Sequence, residues 1–346
     1  MIRLNIEQNE ALSCLTRLAN KTMTMDEPWG WPTGVAYYGL SQAYKVTHEA
    51  AYLDFMKERV DELLELGLNQ QDWNVNQCAM GHCLLTLAEE TGDKRYDDVI
   101  SDMLEYLAKR ALRFGEATLQ HTVSDKNNFP EQAWADTLFM AAFFMLRAGS
   151  VRKDAALIED ALNQYAAHIH YLQNPANGLW YHGYNNITKD HMSGFYWARA
   201  NAWAAVTMSQ VGRNLNEPYL YPQFMTVQGA LRDQLAGIKL LQTENGLWRT
   251  ILDDAESYEE LSASCGIAAA MLSSGNPLHT KYIQRAYDGI VKNVSPDGRL
   301  LNVSGGTAVM RDLDGYRKIA KDFVQGYGQG LGMVFFAEIL NTKRAA

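Results

Sequence analysis

What the chain lacks narrows its class before any motif is read. Its 346 residues include only four cysteines, and none forms a CxxC pair. Cys78 and Cys83 lie five apart beside His82 in an apolar stretch with no further donors at ligand spacing, so no metal is expected. Buried thiols in a reducing compartment fit better than a disulfide framework. Basic excess is also missing: 31 Lys and Arg stand against 40 Asp and Glu, a net charge of −9. Without a basic stripe to release counterions, nucleic acid and anionic membrane surfaces are poor partners. No uncharged apolar run reaches the roughly 18 residues of a membrane span. Residues 1–20 carry Arg3, Glu7, Glu10 and Arg17 among apolar positions, with neither the core nor the cleavage end of a signal peptide. The expectation is a cytoplasmic protein. No polar linker interrupts the pattern and 47% of residues are hydrophobic, so residues 1–346 are expected to form one domain.

Strand signals are scarce as well, whereas helical periodicity recurs along most of the chain. Two kinds of segment alternate. Residues 5–21, 49–67, 93–114, 152–172, 218–240 and 276–293 are charged and amphipathic, each with one solvated face. Residues 34–45, 76–88, 132–146, 196–211, 262–274 and 326–337 are almost uncharged, which predicts helices buried on every side. Links from uncharged to charged segments are short, as at Thr47-His48, Thr91-Gly92 and Gly149-Ser150. The return links, about 22–33, 68–75, 115–131, 173–195, 241–261 and 294–325, are long. Six helical hairpins of about 58 residues, with every long loop at one end, predict an all-α (α/α)6 toroid. AsnGlyLeuTrp at Asn177 recurs at Asn245, and AspGlyArgLeu at Asp297 occupies the equivalent loop. The glycine run from Gly326 leads into a helix and follows no strand, so it predicts close helix packing; no phosphate-cradling loop and no cofactor are implied.

An open helical solenoid serving as a scaffold is the plainer alternative. Against it stand aromatic residues gathered in the long loops: Trp29, Trp31, Trp73, Phe129, Trp180, Tyr181, Tyr184, Phe195, Tyr196 and Trp197. Sugar rings stack their C–H faces on such side chains while their hydroxyls demand hydrogen bonds. Two charges then stand out. Asp136 is the only ionisable group from Gln132 to Leu146, and Arg199 the only charge from Ser193 to Gly212. Burying either costs several kcal/mol, at order of magnitude, unless it is paired or neutralised. They are functional candidates, or else a buried ion pair with each other. Asp136 is expected one or two turns past Pro130-Glu131, which would open its helix; there the helix dipole favours the carboxylate and an apolar pocket favours the acid. His182, between glycines in GlyLeuTrpTyrHisGlyTyr (178–184), is a site candidate at the mouth. His121, His168, His170, His191 and His279 have no comparable context and are expected to be structural or superficial.

TrpAlaAspThrLeuPheMet (134–140), GlyLeuTrpTyrHisGly (178–183) and TrpAlaArgAlaAsnAlaTrp (197–203) occur in this order. Together they resemble glycoside hydrolase family 105, the unsaturated rhamnogalacturonyl hydrolases, related to the unsaturated glucuronyl hydrolases of family 88. The likeness runs from about Trp29 to Tyr327 and implies the same toroid. It implies an enzyme that removes a 4,5-unsaturated uronic acid from the non-reducing end of lyase-generated oligosaccharides, by hydrating the C4=C5 bond. By that resemblance Asp136 is the acid/base and Arg199 meets the uronate carboxylate, for which a bidentate guanidinium fork is well suited. Trp197 and Trp203 would stack on or enclose the sugar, and His182 would bond its hydroxyls or the attacking water. Lys126 falls, more loosely, where relatives carry a basic residue near substrate. The chain departs from the pattern at Asn76, where many relatives have aspartate; Asn76 can hold a hydroxyl but cannot titrate. A conventional inverting glycosidase would need Glu131 or Asp125 as partner to Asp136. A sugar epimerase would need paired histidines, and a non-catalytic oligosaccharide-binding toroid would need neither.

Overall fold

A computed structural model describes residues 2–67 and 73–344; of the loop expected at 68–75, residues 68–72 lie outside the described residues. In chain order the helices are α1 (Gln8–Thr22), α2 (Trp31–Thr47), α3 (Ala50–Glu65), α4 (Gly81–Thr91), α5 (Lys94–Glu105), α6 (Phe143–Arg152) and α7 (Ala155–Leu172). They continue with α8 (Ala198–Gln210), α9 (Pro222–Ile238), α10 (Leu261–Ser273), α11 (Thr280–Val291), α12 (Leu313–Arg317) and α13 (Gly326–Arg344). Short α12 aside, these are the twelve expected.

Charge depletion sorts the layers. The uncharged helices pack in the order α2, α4, α6, α8, α10, α13, and α13 returns to lie along α2, closing an inner ring. Helix α10 has no charge and buries every residue from Leu261 to Leu272. Helix α11 buries only one stripe, Ile283, Ala286, Tyr287, Gly289 and Ile290, against it. The other charged helices form the outer layer in the same way. The fold is an (α/α)6 toroid. Closure depends on missing side chains: a Cβ on Gly330 would stand 2.2 Å from the Val35 carbonyl oxygen, and one on Gly39 would stand 2.6 Å from Gly330 Cα. The glycine run from Gly326 therefore serves helix packing.

The outer layer is sealed by the repeated turn. Gly178, Gly246 and Gly298 all have left-handed φ, and each presses on the backbone of the next charged helix, at Asp233, Arg285 and Arg17. The residue two places on from each glycine then donates its backbone N–H to a side chain of the next inner helix. Trp180 donates to Asn201, Trp248 to Ser264 and Leu300 to Gln329. The weak repeat is thus a set of struts between successive hairpins.

Several boundaries differ from the sequence expectation. The third short link is Lys153-Asp154, not Gly149-Ser150: Gly149 continues α6 and admits Ile158 of α7, whose side chain a Cβ there would meet at 2.9 Å. Lys153 takes the left-handed cap and the Asp154 side chain accepts from Leu157 N–H. The segment 93–114 is helical only to Arg110, then forms a hairpin of β1 (Arg113–Phe114) and β2 (Thr118–Leu119). The segment 132–146 begins as a strand, β3 (Gln132–Trp134), antiparallel to β4 (Gly183–Asn185). All four cysteines are free and buried, and none of the described helices is long and apolar enough to cross a membrane.

Buried His82, His121, His168, His182 and His279 titrate below the ordinary imidazole value, chiefly because burial disfavours the cation. For His121 and His168 the value falls to about 4. The unfolded chain takes up these protons near 6.5, before the folded one does, so stability is complete above that value and lost below it. Either residue carries roughly 3 kcal/mol of that loss. The melting temperature should decline continuously as pH falls from 6.5 toward 4; a constant value across that interval would contradict this account of the core.

Candidate active site

Five of the six long loops converge on one cavity of about 380 Å³ at one end of the ring. Its walls are Trp29, Trp31, Phe129, Trp134 and Trp197, with Gly306–Ala308 along one side. Among the described residues lining it, Asp136 is the only carboxylate. The residue is positioned by the β3–β4 pairing, which places Trp134 opposite Gly183 and lets Ala135 N–H donate to the His182 carbonyl. The helix leading into α6 begins at residue 136, so Asp136 is its first residue rather than one or two turns inside it. Unpaired backbone N–H groups of that first turn favour the carboxylate.

Asp136 Oδ2 lies 3.3 Å from His182 Nε2 and is buried with no aligned hydrogen bond. Burial raises the proton affinity of Asp136, but His182, His121 and Arg199 outweigh it, and the carboxyl sits below its ordinary range. The charged form prevails over the apolar surroundings, through these cationic and hydrogen-bonding neighbours. Burial pushes His182 below the ordinary imidazole value against the pull of Asp136. The pair is therefore carboxylate and neutral imidazole.

His182 is not at the mouth. It is fully buried behind Asp136, under Trp197 at 4.1 Å between ring centroids, with Nδ1 2.9 Å from the Tyr316 hydroxyl. It reaches the cavity only through Asp136, so it cannot contact sugar hydroxyls directly. The histidine that does line the cavity is His121, expected to be structural. It stacks on Trp134 at 4.4 Å with Nδ1 3.0 Å from Thr137 Oγ1. Nothing local marks His121 in the sequence; its loop folds back across the cavity to reach Asp136.

Arg199 also lines the cavity, yet its guanidinium is engaged elsewhere. One terminal nitrogen donates to the Ser304 carbonyl and hydroxyl at 2.9 and 2.7 Å, the other to the Gly305 carbonyl and Thr307 hydroxyl at 2.7 and 3.2 Å. Trp197 and Tyr327 cover its two faces. Its ionic partner is Glu260 at 3.5 Å, not Asp136. Both terminal nitrogens being committed, the free bidentate fork expected for a uronate carboxylate is absent; the charge remains. Glu260, missed in the sequence, is fully buried, and also accepts from the N–H groups of Ala263 and Ser304 and the Ser262 hydroxyl.

Two expected contacts fall elsewhere. Trp203 is six residues beyond Trp197, ~9 Å deeper along α8. It is wholly buried against Phe139 and does not reach the cavity. Lys126 is exposed in a separate groove with Trp73 and Asp125, because the 121–130 loop turns Val123 and Phe129 toward the cavity instead. Asn76 lines the cavity with an unpartnered Oδ1. Neither Glu131, which accepts from Asn186, nor Asp125 faces Asp136 across the cavity. The lining holds, among the described residues, no second acid and no histidine besides His121. Among the described residues, no three His, Cys, Asp or Glu side chains gather as a cation site.

Residues 7–343 match the model of Glycosyl Hydrolase Family 88. The chain belongs to that family. It is accordingly a glycosyl hydrolase. Over 345 residues, 99% of both chains, it is 45% identical to the unsaturated rhamnogalacturonyl hydrolase YesR of Bacillus subtilis. The crystal structure of a possible family 105 member from Salmonella enterica serovar Paratyphi A superposes with a TM-score of 0.92 at 26% identity, covering 99% of this chain and 97% of that one. An unsaturated glucuronyl hydrolase specific for heparin, at 15% identity and TM-score 0.75 over 97% of both chains, shares the fold. Within the family 88 chain, the Arg199–Glu260 contact carries a direct stability consequence. Glu260→Ala leaves the guanidinium buried without its counter-charge, and should cost roughly 3–5 kcal/mol. Denaturant unfolding checks this, and a loss below about 1 kcal/mol would mean solvent already compensates the charge.

Proposed function

We propose that this cavity hydrates the C4=C5 bond of a 4,5-unsaturated uronic acid at the non-reducing end of a lyase-generated oligosaccharide, with Asp136 as both acid and base. One observation carries the assignment: Asp136 is the only carboxylate among the described cavity residues, and its Oδ2 has no aligned partner. A substrate carboxylate entering this cavity adds like charge beside Asp136 and raises its proton affinity, so the acid is loaded as substrate binds. Asp136 then passes its proton to C4, leaving positive charge shared between C5 and the ring oxygen. The resulting carboxylate removes a proton from the water attacking C5. The hemiketal so formed opens and releases the next sugar. One carboxyl group performs both transfers in turn, so the paired acids of ordinary glycosidases are not required.

Trp29, Trp134 and Trp197 offer faces to the sugar ring, while Asn76 and His121 offer hydrogen bonds to its hydroxyls. Arg199 supplies positive potential for the uronate carboxylate beside the 304–307 segment it anchors. Identity to a rhamnogalacturonyl hydrolase over the whole chain favours pectin-derived substrate over glycosaminoglycan-derived substrate. On this reading residues 1–346 form one catalytic unit, acting on short oligosaccharides imported into the cytoplasm.

The test follows the ultraviolet absorbance of the conjugated bond in unsaturated galacturonyl-rhamnose. Wild type should abolish the absorbance, and Asp136→Asn should slow its loss about 10³-fold. Absorbance that persists with pectin- and glycosaminoglycan-derived disaccharides alike would overturn the hydration reading.

A further inference from the structure

Tyr316 belongs to α12, the one helix outside the twelve of the toroid, and it is fully buried. Its hydroxyl lies 2.9 Å from His182 Nδ1 and accepts from Met310 N–H at 3.2 Å. The other nitrogen of the same imidazole, Nε2, faces the Asp136 carboxylate at 3.3 Å. These three contacts constrain where the protons stand. A backbone N–H can only donate, so Tyr316 Oη accepts from Met310 and keeps its own proton to give; the Ser193 hydroxyl beside it can donate as well as accept, which leaves that proton free for His182 Nδ1. The 3.3 Å contact is not an aligned hydrogen bond, yet a carboxylate can only accept and repels a facing lone pair, so the hydrogen is favoured on Nε2, the side of Asp136. A neutral imidazole has one N–H, and Nδ1 is then left as acceptor. The reverse arrangement, with Nδ1–H donating to Tyr316, would set the Nε2 lone pair against the carboxylate oxygen. The imidazolium is disfavoured because the ring is completely buried.

We propose that Tyr316 is a positioning residue: by donating its O–H to His182 Nδ1 it holds the imidazole in the Nε2–H tautomer, with that proton directed at Asp136. The proposal rests on Asp136 being the acid/base of the preceding section. It gives the 303–320 loop a second role beside the cavity wall at Gly306–Ala308. Arg317, adjacent to Tyr316, is pinned to Asp254 by two hydrogen bonds of 2.6 Å, and Asp312 caps α12 at Gly315 N–H. Seating of this loop and orientation of His182 are thereby one event. Without the Tyr316 proton the imidazole can exchange tautomers, and in the Nδ1–H form it repels the carboxylate that must accept and release a proton.

The experiment uses the full chain labelled with 15N-histidine, with His182 assigned by the resonance lost in His182→Gln. Wild type should show His182 with a protonated Nε2 and an unprotonated, hydrogen-bonded Nδ1. Tyr316→Phe, which removes only the hydroxyl, should give mixed tautomers and lower kcat about tenfold with KM changed less than about twofold. A wild-type Nδ1–H tautomer overturns the proposal, as does Tyr316→Phe that keeps both the Nε2–H tautomer and wild-type kcat. Should Tyr316→Phe fail to fold, the wild-type tautomer decides alone. Failure of Asp136 as acid/base is read separately in the absorbance assay and leaves the tautomer result standing.

Discussion

A guanidinium and a carboxylate shut away from water at the top of the ring hold the cavity in shape. Arg199 leaves the N-terminal turn of α8, Glu260 stands just before α10, and both bond to Ser304 in the loop before α13. Such a contact is favourable only when the remaining donors and acceptors are satisfied. Here serine hydroxyls, backbone groups and two aromatic faces do that for all but the Arg199 Nε–H, which is buried without a partner. Trp197, clamped over the guanidinium, also covers His182, and His182 faces Asp136. Loss of the buried pair would therefore loosen the wall, the aromatic cover and the reacting pair together.

The toroid was legible because its cause is chemical and repeated. A helix surrounded by others carries a charge only where it is compensated, as at Arg199, whereas a helix on the outside is charged along its solvated face, so alternating charge density reports the layers. The AsnGlyLeuTrp turn was legible for a similar reason: backbone contact admits no side chain at Gly178 or Gly246. Asp136 stood out as a lone carboxylate in an apolar stretch, and it does face the cavity.

The remainder depended on contacts far apart in sequence. Glu260 follows Glu259 at the end of the long 241–261 link, where nothing local marks it, and the return of the 304–307 loop covers it. His182 looks like a loop residue because β4 is three residues long and its partner strand lies far back in the chain. Tyr316 meets His182 across 134 positions. Lys126 and Trp203 match the family pattern in sequence, yet the turn of one loop and the depth of one helix take them away from the cavity. The expected open fork of Arg199 failed for the same reason: residue type reveals a charge, not which neighbours have already claimed its hydrogens.

The carboxyl of Asp136 sits below its ordinary range, whereas the proposed hydration requires it to deliver a proton; on that proposal the anionic substrate reconciles the two states. Hydration by a carboxyl group held in place differs from bond cleavage followed by spontaneous tautomerisation in one observable, the face of C4 that receives hydrogen. The most direct measurement runs the reaction in D2O and reads deuterium at C4 of the released uronate by NMR during the first turnovers. The account predicts deuterium on a single face, because Asp136 approaches from one side. Deuterium distributed over both faces would contradict it.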